Sequence, residues 1–274
     1  MAVTGQQSPA EALRGRVRAT WTAGDFGRIA VGFERGAAEF IARLELKPGE
    51  RVLDVACGTG NLALPAARGG ARVTAIDIAP ALVAQLAARA VAEGLAVDAR
   101  EGDAEALPLA DGSFDTVVTM FGAMFAAHPD SATAELVRVT RAGGRIAMAN
   151  WTPDGFIGRM LKVVVGYVPP PSGVPSVLLW GDPRVVQERL GAGVTGLRFD
   201  RRTMVLAYPF GPEKTVELFR TWYGPTVRAF GALDEERQRA LSADLVSLWT
   251  EHNTAGPDAT RVESEFLEVV GSRV

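Results

Sequence analysis

Three acids and two glycines, held at set distances along the chain, are the residues best placed to do chemistry. Asp54 interrupts the apolar run Val52-Leu53-Asp54-Val55-Ala56, Gly58 and Gly60 follow at once, Asp77 comes 17 positions after Gly60, and Asp103 completes the set. Neither glycine carries a Cβ, so the backbone there can turn tightly and approach a ligand closely. Asn61 to Arg68 reads as the start of a helix, whose free N–H groups would face that ligand. A carboxylate at Asp77 can accept both hydroxyl protons of a ribose. Asp103 can accept an exocyclic amine proton of an adenine, while the Ala104 N–H serves a ring nitrogen. Asp54 can order the glycine turn or meet a cationic group, directly or through water. Together these make a nucleotide-type site.

The surrounding elements have the order such a site needs. The run 52–56 suits a central parallel strand covered on both faces. Arg72 to Asp77 is a second strand, Ala81 to Glu93 a helix stopped by Gly94, and Ala96 to Glu101 a third strand. A loop over 107–112 leads to a fourth strand, opened by Ser113-Phe114-Asp115 and ending at Met120. Asp130 to Thr140 is a helix, Arg141 to Gly144 a turn, and Arg145 to Asn150 a fifth strand. Alternating strands and helices predict an α/β fold, a doubly wound parallel sheet with helices on both faces. Right-handed crossovers bring the strand C-terminal ends to one edge, where ligands bind.

The flanks are less regular. Pro9 to Ala23 and Phe33 to Leu44 read as helices joined by a turn over 24–29, with residues 1–8 disordered. Prolines 153, 169, 170, 171 and 175 break the pattern between Trp151 and Trp180. Asp182 to Leu190 is a short helix with Pro183 at its first position. Val194 to Tyr208 is a sixth strand, bulged near Arg201 and Arg202. Pro212 to Phe230 and Asp234 to Thr250 are two helices, and 258–270 is strand-like.

The chain has 274 residues, 47% hydrophobic and 22% charged, which is ordinary for a globular protein with ample core. A net charge of −3 provides no basic field for nucleic acid or an anionic membrane. Cys57 is the sole cysteine, so neither an internal disulfide nor a cysteine metal cluster forms. No His and carboxylate spacing suits a metal, so no metal is expected. The start lacks a secretion signal pattern, and no apolar run of about 18 residues occurs. A cytoplasmic protein without membrane insertion is the expectation; a homodimer is left open.

The motifs Val52 to Asn61, Ala75 to Pro80, Gly102 to Pro108, Phe114 to Val118 and Glu135 to Gly144 resemble the class I S-adenosylmethionine-dependent methyltransferases. The likeness is to the small-molecule enzymes of the ubiquinone and menaquinone biosynthesis (type 11) group. It covers about residues 45 to 151 and a closing strand. It implies a Rossmann-like seven-stranded sheet in the order 3-2-1-4-5-7-6 with strand 7 antiparallel. It also implies a cofactor, S-adenosyl-L-methionine, leaving as S-adenosyl-L-homocysteine. Carried over by match, Asp54, Ala56, Gly58 and Gly60 lie at the amino-acid end of the cofactor. Asp77 and Ile78 lie at the ribose, Asp103 and Ala104 at the adenine, and Met120 and Phe121 near the sulfonium. The chain then divides into N-terminal helices forming a lid (1–44), a cofactor-binding core (45–151) and a segment completing the sheet and capping the acceptor site (152–274). Ala63 at the third glycine position keeps an NAD(P)-dependent oxidoreductase open as an alternative, as does a non-catalytic S-adenosylmethionine-binding protein.

Methyl transfer from a sulfonium is an in-line displacement with a neutral leaving group, so proximity and orientation do most of the work. A base is needed only where the nucleophile must lose a proton. His128, shortly after the fourth strand, is the candidate base; the alternative is that His128-Pro129-Asp130 merely starts a helix capped by Asp130. Trp21, Phe26, Met124, Phe125, Trp151, Trp222 and Tyr223 are the candidates for an acceptor pocket. Their character suits a small, hydrophobic molecule moved onto through an O, N or C nucleophile.

Overall fold

The computed structural model describes residues 8–171 and 174–274; the reading of the extreme N-terminus as disordered falls largely on residues outside them. The strands are β1 (Arg51–Val55), β2 (Arg72–Asp77), β3 (Val97–Glu101), β4 (Phe114–Met120), β5 (Thr140–Trp151), β6 (Val194–Tyr208) and β7 (Thr260–Arg273). They form one sheet in the order β3-β2-β1-β4-β5-β7-β6. β1 pairs in parallel with both β2 and β4, while β7 runs antiparallel to β5 and β6. Val52, Leu53 and Val55 are wholly buried, as the unbroken apolar run of a central strand requires. Truncating Leu53 there to alanine would cost about 2–5 kcal/mol in lost contacts and residual cavity.

The helices are α1 (Pro9–Trp21), α2 (Phe26–Ala30), α3 (Glu34–Arg43), α4 (Ala63–Arg68), α5 (Pro80–Ala92), α6 (Pro129–Val139), α7 (Phe156–Tyr167), α8 (Pro183–Leu190), α9 (Pro212–Trp222), α10 (Gly224–Gly231) and α11 (Glu235–His252). No helix among the described residues is long and apolar enough to cross a membrane.

Five details differ from the sequence reading. The turn at 24–29 holds the short helix α2, because the Asp25 carboxylate accepts the Gly27 N–H at 3.1 Å and caps it. The stretch from Trp151 to Trp180 is not irregular throughout: its prolines flank α7, whose Phe156, Ile157, Met160, Leu161 and Val164 are buried. β5 starts earlier than expected, and the Arg141–Gly144 turn becomes the register shift between Phe114 and Thr116 of β4. β6 is irregular between Thr195 and Arg198, around Gly196 at φ +63°, and not at Arg201 and Arg202. Those two pair regularly with Leu267 and Phe266 while their side chains reach Glu265 and Glu268. Finally, the helix expected over 212–230 is broken at Tyr223 into α9 and α10, with Tyr223 in extended conformation (φ −84°, ψ 109°) ahead of Gly224 and Pro225.

Candidate active site

The loops after β1 and β4 meet at the carboxyl edge of the sheet. Ala56 and Phe121, each just past its strand, hold positive φ (56° and 55°), a conformation costly to residues with a Cβ. Gly122 sits so close to Ala56 that a Cβ would lie 2.5 Å from the Ala56 Cβ. Only glycine allows the two loops this contact, and a cavity opens against it.

Asp54, Ala56, Gly58, Asp77, Ile78, Asp103, Ala104, Met120 and Phe121 all line that cavity. The Gly58 N–H donates to Asp77 Oδ2 at 2.8 Å and the Ala79 N–H to Oδ1 at 2.8 Å, so Asp77 fixes the glycine turn while keeping lone pairs to offer. Asp54 Oδ2 accepts the Ala63 N–H at 3.0 Å and ties down the first residue of α4, whose N-cap Leu62 provides no side-chain acceptor. Asp103 accepts the Glu105 N–H at 2.9 Å, which folds the loop after β3 into a tight turn. Gly60 is not on the cavity wall. Its φ is +89°, and a Cβ there would sit 2.2 Å from Leu86 Cδ1, so it serves the approach of α5 to the turn.

Asp54 and Asp77 are buried, 1% and 6% exposed, and neither has an ion-pair partner among the described residues. Burial raises the pKa of both, and the Asp77 charge raises that of Asp54 further. Two such carboxylates at one wall favour a ligand carrying positive charge. S-adenosylmethionine, with its ammonium and sulfonium, has that charge, and its ribose hydroxyls match the open lone pairs of Asp77. The donor set therefore fits this cofactor.

Aromatic rings line the same cavity. Phe121 stacks on Trp151, centroids 3.5 Å apart and 8° from parallel, and Phe33 leans on both at 6.2 and 5.9 Å. Trp21 meets Phe26, Phe125 and Tyr223 edge-on at 5.5, 5.0 and 6.0 Å. Phe219 closes on Tyr223 at 5.5 Å. All eight rings line the cavity. They come from α1, α2 and the turn after it, the loop after β4, β5, and α9 with the break that follows it, which the tertiary fold alone brings together.

Three sequence candidates lie elsewhere. Met124 is 1% exposed in the core, not on the wall. Trp222 lies under the Arg28 guanidinium at 4.6 Å, because the chain break at Tyr223 turns the two neighbours to different sides. His128 is the N-cap of α6, while Asp130 lies in the first turn and caps nothing. The His128 ring is not on the wall: its Nδ1 is 2.7 Å from Glu105 Oε2, and the His128 backbone N–H donates to Glu105 Oε1 at 2.8 Å. Glu105 itself does line the cavity, with Arg14 of α1 4.0 Å away. Glu105 went unmarked in sequence because a carboxylate two residues past Asp103 has no distinguishing spacing. Ile157 was likewise indistinguishable from core.

Comparison with known proteins agrees with this geometry. The family described as "Methyltransferase domain" matches residues 53–148. An uncharacterised protein of Mycobacterium tuberculosis is 39% identical over 243 residues, 87% of this chain and 89% of that one. A demethylmenaquinone methyltransferase of Thermus thermophilus is 41% identical over 124 residues, 44% of this chain and 56% of that one. Among solved structures, a Haemonchus contortus phosphoethanolamine N-methyltransferase with phosphomonomethylethanolamine and S-adenosylhomocysteine aligns with a TM-score of 0.59. It is 16% identical, covering 97% of this chain and 60% of that one, and it shows likeness of fold. Fold and site define a Rossmann-like methyltransferase. The chain belongs to the class I S-adenosylmethionine-dependent methyltransferases, in the type 11 family. It is an enzyme, and the oxidoreductase and non-catalytic alternatives fall away.

Proposed function

We propose that this enzyme methylates a small, largely apolar acceptor with a flat ring. The observation that carries the reading is the set of eight aromatic rings lining the same cavity as the buried acids. The Thermus relative is by name a demethylmenaquinone methyltransferase, but its likeness is confined to under half of this chain, so the rings have the greater weight.

When bound, S-adenosylmethionine supplies a methyl group activated on a sulfonium. In this reading Asp77 holds the ribose, and Asp103 with the Ala104 N–H holds the adenine. Asp54 and the Gly58 turn offset the positive charge of the amino-acid end, with Ile78 against the sugar. Gly60 acts from behind, through the packing of α5. Met120, Ala56 and Phe121, at the strained meeting of two loops, flank the methyl position. Residues 1–44 contribute Trp21, Phe26 and Phe33, and residues 152–274 contribute Ile157, Phe219 and Tyr223. These segments act as lid and cap over the core 45–151. They exclude water and hold the acceptor on line, and such orientation is worth up to about 7–11 kcal/mol of barrier. His128 is oriented onto Glu105 and has no part as base.

The test is turnover of methyl-labelled cofactor against naphthols, aliphatic amines and short carboxylic acids. Labelled naphthyl product is expected. Preference for the aliphatic amine or the acid overturns the aromatic-acceptor reading. Calorimetry with S-adenosylhomocysteine, run alongside, is expected to show binding that NAD does not reproduce.

A further inference from the structure

Resting on the reading of this cavity as the acceptor site, we propose that the Tyr223 hydroxyl is the polar anchor that selects ring acceptors bearing an oxygen.

The chain has three tyrosines, and their hydroxyls have different fates. The Tyr167 hydroxyl donates to Asp244 at the surface, 2.7 Å away. The Tyr208 hydroxyl is buried without a partner, packed against the backbone of Gly32 and away from the cavity. Tyr223 is 5% exposed and lines the cavity, and its hydroxyl has no hydrogen-bond partner among the described residues. Unlike the Tyr208 hydroxyl it is not sealed off, so on the cavity wall it is left to bond water or an atom of the ligand.

The presentation of Tyr223 is rigid. Its N–H donates to the Phe219 carbonyl at 2.9 Å, and its carbonyl accepts the buried Thr226 hydroxyl at 2.8 Å. The next residue, Gly224, approaches α1 so closely that a Cβ would lie 2.2 Å from the Thr20 carbonyl oxygen. The break between α9 and α10 is thus clamped from both sides, and the ring is wedged by Phe219, Trp21 and Phe26. Such a side chain loses little freedom on binding.

Burial pushes the Tyr223 phenol above its ordinary range, so it stays protonated and acts as donor rather than base. Its complement is an oxygen lone pair on the acceptor ring: a hydroxyl, carbonyl or ether. The surrounding rings recognise the flat apolar body and the hydroxyl recognises the oxygen, which sets orientation as well as affinity.

The experiment titrates 2-naphthol and naphthalene into protein saturated with S-adenosylhomocysteine, following quenching of tryptophan fluorescence from Trp21 and Trp151. Wild type is expected to prefer 2-naphthol by about tenfold. Tyr223→Phe is expected to erase that preference, leaving naphthalene affinity and the thermal midpoint unchanged. Tyr208→Phe, which removes the other unpaired hydroxyl, is expected to keep the preference. A preference that survives in Tyr223→Phe, an absent preference in wild type, or an equal loss of both ligands overturns the anchor while leaving an aromatic pocket standing. Failure of both ligands to bind wild type overturns the aromatic-acceptor reading itself.

Discussion

The two groups of residues proposed for this cavity, the acids for a cofactor end and the rings for an acceptor end, are built on opposite principles. At the cofactor end, Asp54, Asp77 and Asp103 come from the ends of neighbouring strands within one 50-residue stretch, and each accepts a backbone N–H that also shapes its loop. At the acceptor end, Trp21, Phe125, Phe219 and Tyr223 come from remote segments and touch one another through ring edges. An acid at the cofactor end cannot change without disturbing backbone hydrogen bonds. A ring at the acceptor end can change and cost only packing.

The sharpest way to break that contrast is Asp77→Asn. Charge-assisted hydrogen bonds are worth about 1.5–3 kcal/mol. Affinity for S-adenosylhomocysteine by calorimetry is therefore expected to fall roughly 10- to 150-fold, with that for 2-naphthol staying within about threefold. Next in size is Trp21→Ala, which removes a ring touching three others. Naphthol affinity is expected to fall about tenfold and cofactor affinity to hold. If both fall together, the two ends are not separable and the division drawn above is wrong.

Asp54 sharpens the electrostatic side. Its folded pKa is raised by burial, so the native state holds the proton more tightly than the unfolded chain does. The associated stability is present at low pH and is lost as pH rises from the ordinary carboxylate range through the raised folded value. Asp54→Asn keeps an oxygen for the Ala63 N–H but carries no charge. It is expected to flatten the fall of thermal midpoint with rising pH in the free protein and to weaken S-adenosylmethionine binding. A midpoint profile identical to wild type would show that Asp54 holds its proton no more tightly in the folded than in the unfolded chain.

The smallest expected effect is from His128→Gln. A general base contributes about 100- to 10,000-fold, whereas the His128 ring sits on Glu105 away from the cavity. Turnover of methyl-labelled cofactor is expected to change less than about threefold. A loss in the range of a general base would restore His128 to the chemistry.

The elements that carry the acids were legible residue by residue, β2 from Arg72 to Asp77 among them. Unbroken apolar strands, glycine turns and strand-end carboxylates are local signals with local causes. The α9–α10 break was not legible. Gly224 and Pro225 suit the first turn of a helix as readily as a break, and the Thr20 carbonyl that holds the break in place lies 200 positions away. Met124 and Phe125 illustrate the same limit. They are adjacent and both apolar, yet one is core and one is cavity wall. Nothing in their types separates them, because the difference is which side of the loop meets the sheet.

What the sequence determined by itself is the acid-bearing part of the cavity: the alternation of strands and helices, the glycine turn, and the strand-end acids, whose spacing follows from strand and helix length; the strand order came only with the family resemblance. Tertiary structure alone decided the acceptor end. Aromatic rings have no spacing rule, since any of them packs favourably almost anywhere apolar. Only the folded chain distinguishes Trp21 and Tyr223, which face an open cavity, from Phe40 and Trp249, which are sealed in the core.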